Sequence, residues 1–79
     1  MNTIQQRWDL FNTLAIPADI PDAQRREMKR AFYGGVIAMF QANIDIMENS
    51  VSKSEAVHFF ETCSKEINDF RLKIRNGVA

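Results

Sequence analysis

The sequence predicts an all-α fold: a three-helix bundle-like domain with a long antiparallel helical hairpin and a short N-terminal helix, dimeric in solution. Three observations carry this expectation. Chain breakers are few, with Pro17 and Pro21 close together and Gly34, Gly35 and Gly77 the only glycines, so long stretches can run uninterrupted. Apolar residues recur at spacings of three and four, the period of a helix and not of a strand. Finally, 79 residues bury little, and one cysteine with one histidine gives neither an internal disulfide nor a multi-ligand Cys/His metal site. A second subunit is the support that remains.

The first helix is expected over residues 3–15. Ile4, Trp8, Phe11 and Ala15 share one face, with Leu14 beside them. Asn2 or Thr3 can cap it, because a short side-chain oxygen accepts from an orphan helix N–H. Pro17 ends it by disfavouring helical geometry at Ile16.

The second helix is expected over 21–48. Pro21 suits a first turn, where its missing N–H is no loss, and Asp19 or Asp22 places negative charge at the positive helix end. Met28, Phe32, Gly35, Val36, Met39, Ile46 and Met47 line one side, and Tyr33, Ile37, Phe40 and Ile44 an adjoining one. Together they span about 200°, wide enough to imply neighbours on two sides. The third helix is expected over 52–75. Ser52 and Glu55 read as a capping box, flanked by Val51 and Ala56 as a hydrophobic staple. Ala56, Phe59, Phe60, Cys63, Ile67, Phe70 and Ile74 form its core face, and Gly77 is placed for a left-handed C-cap.

Catalytic, metal and cofactor sites are not expected. Cys63 shares the apolar face of the third helix and reads as a structural thiol, whereas His58 projects away from it, so the two do not form a nucleophile–base pair. The carboxylates of the third helix lie mainly on its outer half, where nothing would raise one above another. Gly34-Gly35 sits inside a helix and not between a strand and a helix, so it is no phosphate loop. Gly35 faces the core side and Gly34 points outward. Asn43 falls within the apolar arc, where a buried amide needs a partner.

Ten basic and ten acidic residues cancel, and nucleic acid is not an expected partner on net charge. No apolar run is long enough for a membrane span, and the polar start is not a signal peptide, so the expected location is cytoplasmic. The charges are nonetheless grouped. An antiparallel hairpin would gather Arg25, Arg26, Lys29, Arg30, Arg71, Lys73 and Arg75 at one end, a patch that could meet acidic protein surfaces or phosphates. The short first helix cannot cover both stripes of the second. Tyr33, Gly34, Ile37, Phe40 and Ile44 are therefore the expected partner-binding residues, toward a second copy or another protein.

The stretch Gln24-Arg25-Arg26-Glu27-Met28-Lys29-Arg30-Ala31-Phe32-Tyr33-Gly34-Gly35 resembles a segment of small helical accessory proteins of tailed bacteriophages and prophages. In those proteins an aromatic early helix and a proline-containing connector precede it, as Trp8 and Pro17 to Pro21 do here. The resemblance implies a viral accessory protein acting in a bacterial cytoplasm. The wide apolar arc, the grouped charges and the absence of catalytic chemistry add the expectation of a non-enzymatic protein that binds a host or phage protein, inhibition being one form this takes. It brings no site residues with it. The alternative expectation is a small nucleic-acid-associated regulator using the basic residues.

Overall fold

A computed structural model describes all residues, 1–79, as three helices with no strand: α1 (Ile4–Ala15), α2 (Asp22–Glu48) and α3 (Lys53–Arg75). Each expected boundary holds to within one residue, and the ends show why. At α1 the cap is Thr3, where a reciprocal box forms: Gln6 N–H donates to Thr3 Oγ1 at 3.2 Å and Thr3 N–H donates to Gln6 Oε1 at 2.8 Å. Pro21 stands just outside α2, its carbonyl accepting the first helical bond from Arg25 N–H at 3.1 Å. At α3 the Ser52 hydroxyl accepts from Glu55 N–H at 3.1 Å. Its far end closes as a Schellman motif, with Gly77 at φ 73°, Gly77 N–H on the Ile74 carbonyl at 3.1 Å and Val78 N–H on the Lys73 carbonyl at 3.0 Å.

The turn between α2 and α3 stops α2 differently. Ser50 takes the left-handed conformation there, at φ 51°, which glycine adopts without a Cβ penalty. Ser50→Gly is therefore expected to stabilise the protein by about 0.5–1 kcal/mol. A thermal melt that falls for this variant would show that the serine side chain contributes more than its backbone conformation costs.

The chain divides into two compact units, Met1–Asn43 and Ile44–Ala79. In the first, α1 runs back along the start of α2: Asn12 accepts from Arg25, the Trp8 and Phe32 rings meet edge-on at 5.5 Å, and Tyr33 Oη donates to Gln5 Oε1 at 3.3 Å. Phe11 completes the aromatic cluster, its ring 6.0 Å from Trp8 and 5.5 Å from Phe32. Trp8 (4% exposed) and Ile16 (8%) are the buried apolar residues of the chain, and both belong to this unit. Trp8 thus packs on the central helix as its periodicity predicts.

Two expectations about the core are corrected. The wide apolar arc of α2 does not have neighbours on both sides: Ile37, Met39, Phe40 and Met47 are exposed, and so is Gly35. The reason is length. At about 1.5 Å per residue, a helix of 12 residues cannot line one of 27.

The second correction concerns α3. In the second unit Ile44, Ile46, Val51, Ala56, Phe59 and Cys63 are half-buried, while Ile67, Phe70 and Ile74 are exposed. The core face is realised only along the first half of the helix. Only the last turn of α2 belongs to this unit, so α3 has far more apolar length than its unit can cover.

Candidate functional site

The middle of α2 carries no charge from Ala31 to Ile44. A solvated helix surface normally interleaves charges with whatever apolar residues it shows. Here the exposed part is Ala31, Gly34, Gly35, Ile37, Ala38, Met39, Phe40 and Gln41, and Ile37 (66% exposed) and Phe40 (65%) project from it. A Cβ added at Gly34 or Gly35 would meet nothing within 4 Å. Neither glycine therefore lets Trp8 or another backbone of this chain come close.

Of the expected partner-binding residues, Gly34, Ile37 and Phe40 are exposed together on this surface. Tyr33 is half-buried, drawn toward α1 by its bond to Gln5 and stacked edge-on against Phe32 at 6.0 Å. Ile44 belongs to the second unit and is half-buried there. Asn43 is half-buried, and no buried side-chain polar atom of the chain lacks a hydrogen bond.

The basic residues have separate fates. Arg25 is half-buried and structural: its guanidinium donates to Asn12 Oδ1, to the Pro17 carbonyl at 3.0 Å and to the Ala18 carbonyl at 3.3 Å. Sequence reasoning missed this role, because nothing local marks an arginine that will meet carbonyls of a preceding connector. Arg30 pairs with Glu27 at 2.8 Å on an exposed surface, and Lys29 sits 5.9 Å from the centre of the Tyr33 ring. Arg26 is exposed, and with Trp8, Asp22, Arg25 and Lys29 it borders a shallow depression of about 300 Å³. Arg71, Lys73 and Arg75 are exposed on α3, in the other unit, with Arg71 donating to Asn68 Oδ1 at 3.5 Å.

His58 is exposed and Cys63 half-buried. They are five residues apart on α3, and so point to different sides of it. No three His, Cys, Asp or Glu side chains are grouped as metal ligands would be, and no helix is long and apolar enough to cross a membrane.

Fold and surface together define an all-α chain whose most distinctive feature is uncharged apolar helix surface facing solvent. Compared with protein families, with curated proteins and with solved structures, the chain gives no significant match.

Proposed function

We propose that this is a non-enzymatic accessory protein of the tailed-phage kind, which binds a host or phage protein in the bacterial cytoplasm, inhibition of that protein being one form this takes. In the same reading the chain is a homodimer, with α2 and α3 an antiparallel hairpin. The observation that best supports binding of another protein is the uncharged, exposed middle of α2, centred on Gly34, Ile37 and Phe40 with Tyr33 and Ile44 at its margins. The chemistry of such a surface selects its partner. A charged surface docking on it would lose hydration and gain no ion pair, so the partner face is apolar and uncharged, such as a hydrophobic groove or helix stripe.

The alternative, a nucleic-acid-associated regulator, draws on the basic residues. It has less support, since Arg25 is engaged with the connector and Arg30 with Glu27. Phosphate binding would also fall steeply with salt, and no duplex binding is expected at physiological salt.

The test is capture from a bacterial lysate with the tagged chain, followed by mass spectrometry. One consistent protein is expected with the wild type, and its recovery should drop by about tenfold or more with Ile37→Glu or Phe40→Glu. Both positions are exposed, so helicity by circular dichroism should be unchanged. Recovery of nucleic acid without a consistent protein, or a partner held equally by both variants, would overturn the reading.

A further inference from the structure

α3 has a pattern that the function above does not absorb and that the chain covers only in part, Cys63 being half-buried. Phe60, Cys63, Ile67, Phe70 and Ile74 follow one another at alternating spacings of three and four, the seam of a coiled coil. Ile67, Phe70 and Ile74 are each more than half exposed. Glu66 and Lys73 flank the seam on the same side, seven residues apart, and neither makes an ion pair within the chain. Arg71, Lys73 and Arg75 crowd the last turns of α3, and Glu61 and Glu66 lie one to four turns before them.

We infer that the homodimer is formed by α3, through antiparallel pairing of this seam with the same seam of a second copy, and that the uncharged surface of α2 stays free for the other protein. The inference rests on the reading that the chain pairs with itself, and it assigns the place. A two-fold axis requires a self-complementary surface, and the seam is one. Antiparallel pairing sets Ile67 against Phe70 of the partner subunit and Cys63 against Ile74 of the partner subunit, each contact occurring twice. The same register brings Glu66 opposite Lys73 of the partner subunit, again twice, with no like charges facing. It also sets Glu61 of each α3 near Arg75 of the partner subunit and opposes the two helix dipoles. A parallel pairing would align like ends. The middle of α2 has no charge with which to set a register.

Sedimentation equilibrium of the full chain at micromolar concentration is the first measurement. The wild type should be a dimer, and Phe70→Glu should raise its dissociation constant by at least about tenfold. Ile37→Glu should leave it unchanged. Glu66→Lys should weaken the dimer, and adding Lys73→Glu to it should restore the dimer. Trp8 fluorescence, which reports the first unit, should be the same in all of them. Placement is read by a short bismaleimide: Ile74→Cys should cross-link to Cys63 of the partner subunit, and Leu72→Cys, on another side of α3, should not. A dimer that survives Phe70→Glu but is lost with Phe40→Glu would overturn this inference while leaving self-pairing intact. Cys63-to-Cys63 cross-linking in the wild type would overturn the antiparallel register. A wild-type monomer at every concentration would overturn both the self-pairing and its place on α3.

Discussion

Trp8→Ala is expected to cost the protein about 3–5 kcal/mol, the range for truncating a large buried aromatic. Proteins of this kind of size hold on the order of 0.05–0.15 kcal/mol per residue, so the loss would take much of what stabilises a chain of 79 residues. The effect is large because so little else is buried. Trp8 is 4% exposed and links Phe11 on its own helix to Phe32 on α2 through rings 6.0 and 5.5 Å away. Removing it leaves α1 with Ile16 as its nearest buried apolar residue, just past the helix end. Urea denaturation followed by circular dichroism measures this, and the midpoint should fall well below that of the wild type. Trp8→Phe keeps an aromatic ring in the cluster and should cost clearly less, about 1–2 kcal/mol. An unchanged midpoint for Trp8→Ala would mean that the first unit is not organised around this ring.

Arg25→Met is expected to destabilise by about 2 kcal/mol, because it removes charge-assisted bonds to two carbonyls and an amide oxygen at once. The fork of the guanidinium reaches Asn12 Oδ1 with one nitrogen and the Pro17 and Ala18 carbonyls with the other. It thereby fixes the connector that follows α1, which has no basic residue of its own in its last turn. Arg25→Lys should recover less than half of the loss, since an ammonium is a point donor and cannot span both sides of the site. The denaturant slope should stay constant in both variants, marking a change of stability and not of the unfolded state. If instead Arg25→Met is neutral in stability and abolishes capture of a ligand, the residue serves binding after all.

Both variants act on features of unequal legibility. Burial of Trp8 was readable in advance, because Ile4, Trp8, Phe11 and Ala15 follow the helical period and the ring is large. The role of Arg25 was not. Its partners lie 7 to 13 residues away in sequence, and only the reversal of direction between α1 and α2 brings them within reach. The candidate surface falls between these cases. An excess of apolar residues on α2 was visible in the sequence, and with it the prospect of a partner. Which part of the excess stays exposed depends on where α1 stops, and Tyr33 is drawn in by Gln5 while Ile37 and Phe40 are not.

The sequence by itself determined the secondary structure. Helix positions followed from apolar period, Thr3 and Ser52 as caps, Pro17 and Pro21 as the break, and Gly77 as the left-handed close. Each is a local interaction, spanning a few residues, so neighbouring residues suffice to specify it. Tertiary structure alone decided what the apolar faces meet. Periodicity marks Phe59 and Phe70 alike as belonging to the inner side of α3, yet the first is half-buried and the second exposed. The period of a helix says which side is apolar; it does not say how much opposing surface the rest of the chain can supply, and that is a matter of lengths and contacts set far away along the sequence.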